Sequence, residues 1–140
     1  MVYVDTSALV PLFVQEAKSE ALVDWLESTP EMLAVSDWSL VEFASATSIK
    51  VRMGNITAKA AADAMRGARE FIAANCTVAQ PAQKEFQRAI DLAADPAVGL
   101  RAGDALHLAI AQGLGADAIL CLDDSMAKSA RALGMTVIRA

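Results

Sequence analysis

The chain has 140 residues, 55% of them hydrophobic and 21% charged, which suits one globular domain with its own core and excludes a disordered chain. Twelve basic against seventeen acidic residues leave a net charge of −5, awkward for phosphate contacts made by Lys and Arg, so either there is no nucleic-acid partner or something else, such as bound divalent cations, supplies positive charge at the site. The two cysteines, Cys76 and Cys121, form neither a zinc spacing nor a CxxC pair, which fits a reduced cytoplasmic setting.

Along the chain, Val2-Tyr3-Val4 reads as a short strand, followed by a helical stretch from about Ser7 that Pro11 constrains. Lys18 to Glu27 is amphipathic, with Ala21, Leu22, Trp25 and Leu26 on one side. Pro30 breaks that pattern before a second strand, Met32 to Val35. Ser36 or Asp37 can cap a long helix to about Met53, stopped by Gly54-Asn55, and Thr57 caps the next, Ala58 to about Ala74. Cys76 to Ala79 is a candidate strand, and Pro81 suits the start of a helix to about Ala94. After a loop, Asp95 to Gly99, come a helix from Ala102 to Leu114, a strand from Ala118 to Leu122, a helix from Ser125 to Leu133 and a strand from Thr136 to Ile138. Gly113 and Gly115 read as a helix cap and a turn. Short apolar strands alternating with helices predict an α/β fold, a parallel sheet covered by helices on both faces, in a single domain spanning 1–140. No apolar run approaches the ~20 residues that cross a bilayer, and no basic segment precedes an apolar stretch at the start, so the expectation is a soluble, cytoplasmic protein with no membrane partner.

The carboxylates carry the chemistry. Asp5 and Asp123 each follow a predicted strand directly, and in open parallel sheets ligands bind beyond the carboxyl ends of the strands. Singly, each is better explained as a helix N-cap, with Asp5 before Thr6-Ser7 and Asp123-Asp124 before Ser125. Glu42 is the only ionisable residue between Trp38 and Ile49, on a helical face shared with Trp38, Ala46 and Ile49. An acid there is costly unless it pairs with a buried Arg or meets a metal. Asp104 is the only acid in its helix and lies in the first turn, where it either favours the dipole as a cap or serves a site. Carboxylates without a Cys or His cluster suit Mg²⁺ or Mn²⁺ rather than zinc. His107, one turn beyond Asp104, reads better as a hydrogen-bonded core residue than as a ligand. Among Lys50, Arg52, Lys59, Arg66 and Arg69, the spacings Lys59–Asp63 and Arg66–Glu70 are those of ordinary solvated ion pairs.

Tyr3-Val4-Asp5-Thr6-Ser7-Ala8-Leu9 resembles the opening motif of PIN domains, and Glu42 sits where their second acid falls. Leu100-Arg101-Ala102-Gly103-Asp104-Ala105-Leu106-His107-Leu108-Ala109 is similar to the third motif of VapC toxins, the ribonuclease halves of VapBC toxin–antitoxin systems. Asp123, with Ala130 and Gly134 downstream, is similar to their last motif. Two departures stand out: Cys121 occupies a position that is usually Thr or Ser, and Asp124 offers a second acid beside Asp123. Counting back from Ala130 and Gly134 selects Asp123, leaving Asp124 to cap the helix or support the site from behind.

The resemblance implies a PIN-like three-layer α/β/α sandwich around four to five parallel strands, often dimeric. It implies metal-dependent RNA cleavage through Asp5, Glu42, Asp104 and Asp123 with Mg²⁺ or Mn²⁺. Thr6 or Ser7 is then expected to assist by hydrogen-bonding a ligand, a metal-bound water or phosphate. The implied partners are RNA, a second copy, and a VapB-like antitoxin with a DNA-binding N-terminus. Its C-terminal segment is expected to present an Arg to Asp5, Glu42 and Asp104 and to cover apolar residues near Leu9, Leu12 and Phe13. Two alternatives compete: another Mg²⁺-dependent phosphoryl-transfer enzyme, and a PIN-like module that binds without catalysis. A dehalogenase-type phosphatase needs a second Asp where this chain has Ser7.

Overall fold

The computed structural model describes residues 1–140. Strands β1 (Val2–Val4), β2 (Leu33–Ser36), β3 (Cys76–Ala79), β4 (Ala118–Leu120) and β5 (Thr136–Ile138) form one parallel sheet in the order β3-β2-β1-β4-β5. The helices are α1 (Thr6–Leu9), α2 (Ser19–Ser28), α3 (Asp37–Arg52), α4 (Ala58–Asn75), α5 (Gln83–Ala94), α6 (Ala102–Gly113) and α7 (Asp124–Ala132). No helix is long and apolar enough to cross a membrane.

Alternation along the strands divides the core into two layers. Tyr3, Ala34 and Ile119 face a cluster built from α5, α6 and α7, including Leu92, Leu108, Ile110 and Met126. Val2, Val4, Leu33, Val35, Ala118 and Leu120 face the other way, onto Leu9, Leu22, Phe43, Ala68 and Ile72 from α1 to α4. The central strands are buried on both faces, as continuous apolar runs require, giving the expected three-layer α/β/α sandwich. At the edges, Thr77, Val78 and Thr136 are exposed, because an outer strand has a neighbour on one side only.

Several boundaries differ from the sequence reading. The helix after β1 is a single turn that tightens into a 3-10 segment, Val10–Leu12, with Pro11 at its start. Helix α5 begins at Gln83, two residues past Pro81; Glu85 folds back to accept from the Ala82 N–H at 2.9 Å and closes the first turn. Strand β4 ends at Leu120, so Cys121 and Leu122 belong to the loop that leads to the site. Helix α3 is capped by Ser36, whose side chain accepts from the Ser39 N–H while Ser39 returns the bond. Gly113 is the last residue of α6, and Gly115, at φ +67°, makes the left-handed exit.

The sheet order places a switch point between β1 and β4: from β1 the chain moves outwards to β2 and β3, then crosses to β4 and β5 on the opposite side. Loops leaving the carboxyl ends of β1 and β4 diverge there and leave a crevice.

Candidate active site

That crevice is an open cleft lined by Asp5, Glu42, Asp104 and Asp123 together with Arg101 and Gly103. Asp5 lies in it because β1 ends one residue earlier; its N–H still bonds the Leu120 carbonyl at 3.0 Å, which ties the turn to β4. Asp5 is also the N-cap of α1, and only 4% exposed. Its Oδ2 accepts from the Ser7 N–H at 3.1 Å and from the Ser7 hydroxyl at 2.5 Å, leaving Oδ1 directed at His107 Nε2, 3.6 Å away. The Ser7 oxygen in turn accepts from the Leu122 N–H at 2.9 Å, so one hydroxyl joins the loops after β1 and β4.

Glu42 enters from α3. Its neighbours Trp38 and Ala46 are half-buried and Ile49 is exposed, while the core-facing stripe is Ser39, Phe43 and Thr47. The face around Glu42 is therefore a wall of the cleft, and no buried Arg meets the acid. Its partner is the only histidine: His107 Nε2 lies 2.7 Å from Glu42 Oε2. Burial raises the Glu42 pKa, but the His107 contact and charge, with help from Thr6, outweigh it and hold the carboxyl below its ordinary value. The other oxygen, Oε1, would stand 2.5 Å from a Cβ at position 103, closer than real Cβ atoms come, so Gly103 makes room for this carboxylate.

Asp104, in the first turn of α6, is not the N-cap; that position is Arg101, whose side chain makes no capping bond. Instead the Arg101 guanidinium bridges two acids, with Nε 3.1 Å from Asp104 Oδ2 and an NH2 3.4 Å from Asp123 Oδ2. Burial raises the Asp104 pKa from its ordinary value; Asp123 and Asp5 add to the rise and Arg101 opposes it. Asp123 caps α7, accepting from the Met126 N–H at 2.8 Å, and lines the cleft as well. Asp124 neither caps nor lines it: it is 93% exposed and pairs with Arg139. Cys121 is buried and its thiol is pushed up to about 12, so it is a neutral packing group.

Thr6 and Ser7 also line the cleft, with their hydroxyls engaged by groups of the site, Thr6 with His107 Nε2 at 3.2 Å and Ser7 with Asp5. His107 is fully buried, as expected of a core histidine, yet its ring edge meets the site. One oxygen each of Asp5 and Glu42 and a nitrogen of His107 lie within 4.8 Å of one another. The sequence signal for this contact was the spacing of His107 and Asp104 on one helix, which does not say which nitrogen faces the cleft.

The donor set fits a hard divalent cation. It consists of carboxylate oxygens, and Arg101 already stands between two of them as a stand-in cation. Lys50 and Glu16, which also line the cleft, pair with each other; away from it, Lys59 pairs with Asp63 as the spacing predicted, but Arg66 pairs with Asp63 rather than Glu70. Leu9 is wholly buried and unavailable for docking, whereas Leu12 and Phe13 line a second groove with Pro11 and Val23.

A parallel sheet whose switch point opens on an acidic cleft defines the class, and the PIN-domain family pattern matches residues 2–132. The chain belongs to the PIN-domain family. It is similar to Ribonuclease VapC35 of Mycobacterium tuberculosis, with 31% identity over 143 residues covering 99% of this chain and 96% of that protein. Among solved structures, VapC20 of Mycobacterium tuberculosis, described as a sarcin–ricin loop cleaving toxin, superposes with a TM-score of 0.75 at 19% identity, covering 100% of both chains. A toxin–antitoxin complex from Klebsiella pneumoniae gives 0.63 at 18% identity, over 99% of this chain and 96% of that one. The two superpositions support the fold.

Proposed function

We propose that residues 1–140 form a single PIN domain acting as a metal-dependent endoribonuclease, the toxin of a toxin–antitoxin pair. The observation that carries this reading is the meeting of Asp5, Glu42, Asp104 and Asp123 in one cleft at the β1–β4 switch point, although they come from four separate segments. The name and coverage of the mycobacterial ribonuclease relative support the choice of RNA over other phosphoryl substrates.

Asp5, Glu42, Asp104 and Asp123 would hold Mg²⁺ or Mn²⁺. When bound, such an ion neutralises the scissile phosphate and acidifies a water for in-line attack. Ser7 keeps Asp5 in place by the two bonds it donates to Oδ2, and Asp123 is held by the α7 cap. Arg101, 73% exposed, pairs with two of these carboxylates, and its planar fork would suit a phosphate of the RNA once it was free of them. Local cations thus answer the repulsion expected between RNA and a chain of net charge −5.

A VapB-like antitoxin is the proposed partner. The groove of Leu12, Phe13 and Val23 suits an amphipathic helix, and a basic side chain from the same segment would replace Arg101 at the acids. A homodimer and a cytoplasmic location complete the reading.

The test is cleavage of RNA by carefully purified protein with Mg²⁺ or Mn²⁺, abolished by EDTA and restored by added metal. Asp5→Asn is expected to lower the rate by at least 100-fold, on the order of removing a principal charge-stabilising group. Cleavage that persists undiminished in chelator would overturn the proposal.

A further inference from the structure

His107 is fully buried and hydrogen-bonded through both ring nitrogens. On the inner side, Nδ1 lies 2.8 Å from the Tyr3 hydroxyl, which lies 2.9 Å from Ser36 Oγ. On the cleft side, Nε2 lies 2.7 Å from Glu42 Oε2 and 3.2 Å from Thr6 Oγ1. Tyr3 and His107 also meet edge to face, with ring centroids 5.7 Å apart, so the imidazole has no room to turn. An ionised carboxylate can only accept, hence Nε2 must carry the proton. With Nε2 protonated and Nδ1 engaged by Tyr3, no nitrogen lone pair faces the cleft. Proximity to Asp5 and Glu42 therefore does not make His107 a metal ligand.

We infer that His107 is a positioning residue, which aims the Glu42 carboxylate into the cleft through Nε2–H, and that Tyr3 and Ser36 set its tautomer from behind. The Ser36 hydroxyl donates to the Tyr3 oxygen, Tyr3 donates to Nδ1, and Nε2–H donates to Glu42. The relay runs from the N-cap of α3, through β1 and α6, back to α3 at Glu42, within the second turn of the same helix. It couples the end of the helix that carries Glu42 to that residue's carboxylate by a path across the sheet. Gly103 closes the other side of Glu42, where a methyl group would displace Oε1. Groups that orient a ligating carboxylate commonly change metal affinity by about 10- to 100-fold when removed. The inference rests on Glu42 being a metal ligand, as proposed above.

The chain has one histidine, so nitrogen spectra of histidine-labelled protein report this ring alone. In alkaline buffer they are expected to show a proton on Nε2 and an accepting Nδ1, both before and after Mg²⁺ is added. Tyr3→Phe removes the donor to Nδ1 and is expected to mix the tautomers. His107→Ala should weaken Mg²⁺ binding, followed by calorimetry, about tenfold or more, and His107→Gln, whose amide can still donate to Glu42, should recover part of that loss. An Nδ1–H tautomer, or loss of the Nε2 proton when Mg²⁺ binds, would overturn the inference while leaving the metal reading intact. Wild-type protein that binds neither Mg²⁺ nor Mn²⁺ would overturn the metal reading and this inference with it. The spectra are taken on the unaltered protein and decide the tautomer even where a variant fails to fold.

Discussion

Arg101 and Asp104 define the charge state of the cleft before any cation arrives. Because the Asp104 pKa is raised, its proton is favoured by folding: the stabilising contribution is present in acid and lost as pH rises through the raised value. At neutral pH the ionised group opposes the fold, so Asp104→Asn should abolish RNA cleavage while leaving the metal-free protein at least as stable. Thermal melts in EDTA across pH check this, with the advantage of the variant shrinking as the pH falls below the ordinary aspartate range. Arg101 acts in the opposite sense. Its guanidinium contacts Asp104 Oδ2 and Asp123 Oδ2, oxygens that a cation would need. Arg101→Gln should therefore lower the melting temperature in EDTA yet tighten Mg²⁺ binding in calorimetry, because a competing cation has been removed.

Helices α3 and α6 bury their main apolar residues in opposite core layers and meet at the site, where Gly103 lies against Glu42 and Trp38. Alanine at an ordinary helical position is favoured over glycine by roughly 1 kcal/mol. At position 103 the added Cβ would meet Glu42 Oε1 at 2.5 Å and Trp38 at 3.7 Å. Glu42 is the end of a flexible side chain and can retreat, but only by giving up its 2.7 Å contact with His107. Gly103→Ala should consequently leave overall stability within about 1 kcal/mol of the wild type while reducing cleavage and metal affinity together. Equal activity with a lower melting temperature would instead mean that the helices separate and Glu42 holds its place. Helix α3 also shows why the cleft is acidic without being dry: its Ser39-Phe43-Thr47 stripe enters the core, and Glu42 stands on the neighbouring stripe at the border with solvent.

For the molecule as a whole, the site's excess of negative charge would make cation binding a source of stability. A ligand that binds only the folded protein adds about 2.7 kcal/mol at a concentration 100 times its Kd. Saturating Mg²⁺ or Mn²⁺ should raise the melting temperature, EDTA should reverse the rise, and Asp5→Asn should suppress it. The shift should fade in acid, since the ligand carboxylates must be ionised to bind. Glu42 adds to this acid sensitivity from within the protein: its lowered pKa contributes stability above the ordinary glutamate range, lost as the pH falls through the lowered value. Melting curves with and without metal over an acid-to-neutral series separate the two effects.

The succession of strands and helices was legible in the residue order because its signals are local. Apolar runs, the Thr57 cap and Gly54 each act within a few residues, and they placed every strand and the three acids after β1, in α3 and in α6. Counting back from Ala130 and Gly134 in the resembled motif pointed to Asp123, which lines the cleft as Asp124 does not. What the sequence could not decide are contacts between residues far apart in the chain. His107 meets Glu42 across 65 positions and Tyr3 across 104, and Arg101 reaches Asp123 across 22. Periodicity tells which side of a helix a residue occupies; only the packing of helix on sheet tells what lies opposite. The sequence thus determined a metal-suited set of acids on a parallel α/β fold, and the tertiary structure determined that an imidazole edge faces one of them and a guanidinium two others.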